Sequence, residues 1–155
     1  MSHENEISRR IIGAAIEVHR CLGPGLLESV YEDALCHEFH LQGIGFQRQQ
    51  RVPICYKDVK LATDLRLDLL VEDKVIVDLK AKEEVTPVDK SQLLTYLRLC
   101  DLRLGLLINF HVTILRDGVT RIVNKLAEPA KPLRPSAASA SLRSIPAPSN
   151  LGATS

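Results

Sequence analysis

Apolar residues Ile7, Ile11, Ile12, Ala15, Val18 and Leu22 recur at steps of three and four, which predicts one stripe of a helix starting at Ile7. Gly23-Pro24-Gly25 stops it. A second stripe, Leu27, Val30, Tyr31, Ala34, Leu35 and Phe39, runs to about Leu41 and ends at Gly43. The period then shortens. Phe46, Val52, Ile54 and Tyr56 predict a first strand, set at an edge because Pro53 cannot donate to a ladder. In LATDLRLDLLV (61–71), Leu65, Leu67, Leu69 and Val71 alternate with Asp64, Arg66, Asp68 and Leu70. The polar turn Glu72-Asp73-Lys74 leads into VIVDLKA (75–81), so these two segments predict a hairpin. Thr86 and Pro87 suit the cap and first position of a third helix carrying Leu93, Leu94, Leu97 and Leu99. LGLLINF (104–110) is continuously apolar, as in a strand covered on both faces. VTIL before Arg116-Asp117-Gly118 and VTRIV after it predict a second hairpin with an Asp-Gly turn. The order α-α-β-β-β-α-β-β-β fits an α/β or α+β sandwich, with helices packed on a mixed sheet.

The pattern fades after Leu126. Residues 127–155 hold five of the eight prolines, six serines, seven alanines and no aromatic residue, so a disordered tail is expected after a single folded domain over 1–126. At 45% hydrophobic and 25% charged, the 155-residue chain is neither collagen-like, nor a coiled coil, nor wholly disordered. Setting aside Lys131, Arg134, Arg143 and Glu128 leaves 17 basic and 18 acidic residues in the folded part. No global basic field advertises a nucleic-acid binder, so such a function needs a local site. The four cysteines form no C-x-x-C pair, and reduced, mostly buried thiols are expected. The polar N-terminus and the short, Glu-containing apolar run after it predict neither a signal peptide nor a membrane span, so a cytoplasmic protein is expected.

Candidate chemistry concentrates in VIVDLKA. Alternation puts Asp78 and Lys80 on one face with Ile76, while Val75, Val77 and Leu79 occupy the other. A three-residue turn pairs Val71 with Val75 and sets Asp68 opposite Asp78; a two-residue turn would shift this by one. Opposed carboxylates repel unless a proton or cation lies between them. Oxygen ligands suit Mg²⁺, with Lys80 placed to handle a nucleophilic water or the charge on a phosphate, and phosphodiester hydrolysis fits. A structural Asp–Lys pair is the other reading, since Asp58/Lys60 and Glu72/Lys74 repeat the spacing. Gln92 and Tyr96 share a helix face that can border the same groove. Glu28 stands three residues before Tyr31, either as a third carboxylate or as an acid favoured by the helix dipole.

Gly25-Leu-Leu-Glu28-Ser-Val-Tyr31 resembles the signature of the bacterial GxxExxY proteins, and EVHRCLGPGLLESVYEDAL, RLDLLVEDKVIVDLKA, QLLTYLRL and LGLLINF extend the likeness over residues 6–126. That family is similar to the PD-(D/E)XK nuclease-like superfamily. The resemblance implies a restriction-endonuclease-like core, α-β-β-β-α-β, with its metal site on the central hairpin. It implies Asp68 and Asp78 as acidic ligands of Mg²⁺ or Mn²⁺, Lys80 as catalytic lysine, and Glu28 as the acid of the first core helix. Gln92 and Tyr96 match the Q-x-x-x-Y pair of RecB-like nucleases. Leu67 stands where a Pro is usual, and Asp78 where Glu is usual, which shortens the ligand by one methylene.

Two functions follow as expectations. One is a metal-dependent nuclease acting on nucleic acid, DNA rather than RNA, with Asp68, Asp78, Glu28, Lys80, Gln92 and Tyr96 as its site. The other is a silent module of the same fold that binds a protein or nucleic-acid partner. A homodimer is a further option. Arg48, Arg51, Lys57, Lys60, Arg66 and Lys82 can supply a basic rim, or a scatter of solvated charges. Cys36, His37 and His40 do not converge on a helix, and Gly23-Pro24-Gly25 lacks the lysine of a phosphate loop.

Overall fold

The computed structural model describes residues 2–125, so the tail expected over 127–155 lies outside the described residues. Helix α1, His3–Leu22, starts ahead of its apolar stripe because Ser2 caps it, the Ser2 hydroxyl accepting the Asn5 N–H at 3.2 Å. Helix α2 spans Glu28–Gln42 and ends on Gly43 at φ 70°. Helix α3, Pro87–Cys100, carries the reciprocal Thr86–Asp89 capping box with Pro87 in its first turn.

The strands are β1 (Phe46–Val52), β2 (Cys55–Tyr56), β3 (Val59–Lys60), β4 (Leu65–Val71), β5 (Val75–Lys80), β6 (Leu104–Asn109) and β7 (Val119–Val123). Five form one sheet in the order β1-β4-β5-β6-β7, with β1 at an edge as Pro53 requires. Only β5 and β6 run parallel, joined by α3; the other pairs are antiparallel, so the sheet is mixed as expected.

Two cores flank this sheet. On one face Ile11, Ala14, Tyr31, Leu35 and Phe39 of α1 and α2 pack on Val75, Val77 and Leu79. On the other, Leu93 and Leu97 of α3 pack on Ile76 and Leu107. Gly105 permits close approach there, since a Cβ would lie 3.0 Å from Leu93. Strand β5 is thus buried on both faces except at its last residue.

Three expectations are corrected. Val112–Leu115 is not a strand: the His19 Nε2 and the Asn109 Oδ1 take the Val112 carbonyl and the His111 N–H, at 2.8 and 3.2 Å. A ladder would need those groups, so the chain forms a 3₁₀ turn over Leu115–Gly118 and β7 pairs directly with β6. Next, Ile54 and Tyr56 do not extend the first strand. After Pro53, β2 and β3 make a separate two-stranded ribbon, turned by Lys57 and Asp58 at φ 50° and 67°. Finally, the leucines of β4 do not share a face. Leu69 and Val71 join the α1/α2 core, whereas Leu65 and Leu67 join the α3 core, so the strand rolls over at Asp68.

The thiols also differ from expectation. All four are free, but Cys21 and Cys55 are exposed and only Cys36 is buried, its pKa raised by burial to about 11. His37 and His40 lie on the surface.

Candidate active site

The roll-over at Asp68 builds the site. The β4–β5 ladder runs through Val71↔Val75, Leu70↔Ile76 and Leu69↔Val77, the register expected from a three-residue turn. One step further it sets Asp68 opposite Asp78. There the ladder stops, and the Asp68 Oδ2 accepts the Leu79 N–H at 2.9 Å. Across β1, the residue facing Asp68 is Gln49, at φ 52° between the pairs Arg48↔Leu69 and Gln50↔Leu67. The Gln49 amide donates to both oxygens of buried Glu32 at 3.1 Å, and the Arg48 Nε adds a 2.6 Å bond. Helix α2 thereby fixes the bend that frees Asp68 from regular pairing.

A cavity of about 130 Å³ opens where β4 and β5 part. Glu28 from α2, Arg66 and Asp68 from β4, Asp78 and Lys80 from β5, and Gln92 and Tyr96 from α3 all line it, over a floor of Ile76 and Val77. Every residue expected at the site therefore meets at one place. Asp78 is only 7% exposed, and its Oδ2 is buried with no hydrogen-bond partner. The Lys80 Nζ lies 3.7 Å from the Asp78 Oδ1. Burial foremost, together with the Asp68 and Glu28 carboxyls, pushes the Asp78 pKa up to about 7, and Lys80 opposes the rise. Burial, then Asp68, also raises the Glu28 pKa at the mouth. The Tyr96 hydroxyl is raised by burial and by both aspartates, so it stays protonated.

Glu28 reaches the mouth because of the segment before it. Gly25 sits at φ 100°, open to glycine at little cost. The Tyr31 hydroxyl donates to the Gly23 carbonyl and accepts the Leu26 N–H. Tyr31 is therefore a buried clamp on the loop, and its ring stacks on Phe110.

An orphaned buried carboxylate oxygen beside a second carboxylate and an amine is an oxygen-donor set that fits a hard divalent cation. Among the described residues no three or more His, Cys, Asp or Glu side chains group closely enough to hold a metal by themselves. Asp68 and Asp78 form the pair, and Glu28 lines the same cavity without completing a triad.

The model of the PD-(D/E)XK nuclease superfamily matches residues 5–122. The chain belongs to that superfamily. No curated protein and no solved structure matches it. Asp68, Asp78 and Lys80 sit on the antiparallel hairpin of β4 and β5, within a mixed five-stranded sheet flanked by helices on both faces.

The sequence offered Arg66 to a basic rim or to a scatter of solvated charges, whereas in this superfamily member it lines the cavity and makes no ion pair among the described residues. Its position two residues before Asp68 was the available signal. Asn109 was missed as well. Its side chain accepts the Lys82 N–H at 3.2 Å and donates to the Lys82 carbonyl at 2.7 Å, pinning the chain just beyond Lys80. Nothing in the continuous apolar run around Asn109 points to that role.

Proposed function

We propose that this protein is a metal-dependent phosphodiester hydrolase acting on nucleic acid, close to the GxxExxY proteins within its superfamily. The observation that carries the reading is the buried, unpartnered Asp78 Oδ2 beside Asp68 and Lys80 in a solvent-reached cavity. Asp68 and Asp78 would hold Mg²⁺ or Mn²⁺, which supplies charge neutralisation and an acidified water.

The chain's own groups supply the rest. Lys80 handles the proton of the attacking water or the charge developing on the phosphoryl oxygens. Glu28 adds negative charge at the mouth and orients water. Gln92 and Tyr96 offer an amide and a protonated hydroxyl to the substrate, and Arg66 presents a guanidinium to a phosphate. DNA is the favoured substrate.

Cleavage of labelled oligonucleotides with Mg²⁺ or Mn²⁺, compared with EDTA, tests this. Loss of cleavage in Asp78→Asn and Lys80→Ala, with melting curves that stay cooperative, is the expected result. Undiminished metal-dependent cleavage in both variants overturns the role assignment. A second reading, a silent binding module, is favoured by the pairing of only two close acids, Asp68 and Asp78, with no cluster of three metal-ligating side chains among the described residues. It requires that calorimetry detect no Mn²⁺ binding to wild type.

A further inference from the structure

The six basic side chains expected at a rim divide in the structure. Arg48 is engaged by Glu32 and Asp33, Lys82 by Asp89 at 2.5 Å, and Arg51 lies 4.0 Å from Asp64. Lys57, Lys60 and Arg66 make no ion pair among the described residues. Arg66 is in the cavity, and the two lysines are on the β2–β3 ribbon.

The ribbon is joined to the cavity's end of the sheet. Ile54 at its base packs into the same core as Leu65 and Tyr96, and the Leu61 N–H closes the base on the Ile54 carbonyl at 2.8 Å. Five residues separate Lys60 from Arg66. Tyr56 and Val59, paired across the ribbon, are each 60% exposed, and the Lys57 Nζ lies 5.4 Å from the centre of the Tyr56 ring. The ribbon thus presents an exposed aromatic ring beside two lysines that make no ion pair among the described residues, a π-face and positive charge side by side.

We propose that this ribbon is a binding arm for a single-stranded segment of the substrate. Tyr56 stacks on an unpaired base, and Lys57, Lys60 and Arg66 meet the phosphates that run from it to the cavity. The inference rests on the hydrolase reading above and assigns its substrate class. A flat ring flanked by free cations matches a nucleic-acid strand, which offers π-faces and phosphates together. A duplex hides its base faces in the stack, and an apolar protein surface would leave both lysines without partners.

Fluorescence anisotropy on the full chain in EDTA, with a labelled single-stranded deoxyoligonucleotide and the matching duplex, tests the arm. Wild type binds the single strand more tightly. Tyr56→Ala weakens that binding by about 5- to 100-fold, whereas Tyr56→Phe binds as wild type. Lys57→Ala with Lys60→Ala lowers the slope of log affinity against log salt by about 1.4. Unchanged single-strand affinity in Tyr56→Ala, or tighter binding of the duplex by wild type, overturns the proposal. The hydrolase reading is scored separately, by whether Asp78→Asn abolishes metal-dependent cleavage.

Discussion

The rings of Tyr31 and Phe110 lie stacked, 4.5 Å between centroids and 6° from parallel, in the core beneath the site. Each of the two residues also makes a hydrogen bond to a segment that carries a cavity residue. The Tyr31 hydroxyl ties down the Gly23–Leu26 loop that sets Glu28, and the Phe110 N–H donates to the Lys80 carbonyl at 3.0 Å. The stack, with the Phe110 backbone, thus links α2 to the end of β5 on one face of the sheet. Tyr31→Phe keeps the stack but leaves the Gly23 carbonyl and the Leu26 N–H without this partner. We expect a loss of about 1–3 kcal/mol, read by urea unfolding, and cleavage that falls further than stability does. A Tyr31→Phe protein as stable as wild type would show that water replaces the hydroxyl at no cost.

Asp78 makes stability depend on pH. Its carboxyl is raised to about 7 in the folded protein from the ordinary 3.8, so between those values the native state holds a proton that the unfolded chain has released. Metal-free stability therefore falls as pH rises from about 4 to about 7 and levels off above, by on the order of 4 kcal/mol. Asp78→Asn flattens this slope and melts higher than wild type above neutrality in EDTA. Thermal melts across that pH range decide it.

Added Mn²⁺ reverses that trend in wild type, because a cation at Asp68 and Asp78 favours the ionised carboxyls that burial disfavours. Stabilisation by Mn²⁺ grows from about pH 5 to about pH 7 and is absent in Asp68→Asn. Calorimetric titration of both proteins measures it. Mn²⁺ affinity equal in the two proteins removes Asp68 from the ligand set.

Lys80→Ala separates binding from chemistry. The amine lowers the Asp78 pKa through the same positive charge that repels a cation, so its removal drives the carboxyl further up while relieving that repulsion, and Mn²⁺ affinity is retained or increased. Cleavage drops by about 100-fold or more, as expected for a group acting on the reacting atoms. A cleavage rate restored by raising the Mn²⁺ concentration would reduce Lys80 to a neighbour that tunes the ligand.

Gln49 tests the bend at Asp68. Gln49→Val places a β-branched residue at φ 52° and removes the amide from Glu32, costing on the order of 2 kcal/mol. Gln49→Gly accepts the backbone and loses only the amide, so it melts above Gln49→Val and retains more Mn²⁺ affinity. Equal behaviour of the two variants would mean that the side chain, rather than the backbone conformation, holds Asp68.

The chain's local chemistry determined a good deal unaided. Apolar spacing and caps define the three helices, with Thr86-Pro87 and Gly43 marking their ends, because these signals act within one or two turns. Alternation in VIVDLKA fixes which face Asp78 occupies, whereas what it opposes stays open between two turn lengths until the pairing of Val71 with Val75 settles it. Tertiary structure decided whatever depended on partners distant in sequence. Val112–Leu115 reads as a strand, but the Val112 carbonyl goes to His19, the His111 N–H just before it to Asn109, and the Ile114 carbonyl to the Asp117 N–H. The leucines of β4 read as one stripe, yet Gln49 and Glu32 turn the strand over at Asp68. Arg66 and Asn109 acquire their places only when β4, β5 and β6 are assembled. A side chain's type and period are local properties, whereas its environment is set by whichever remote group claims the neighbouring hydrogen bonds.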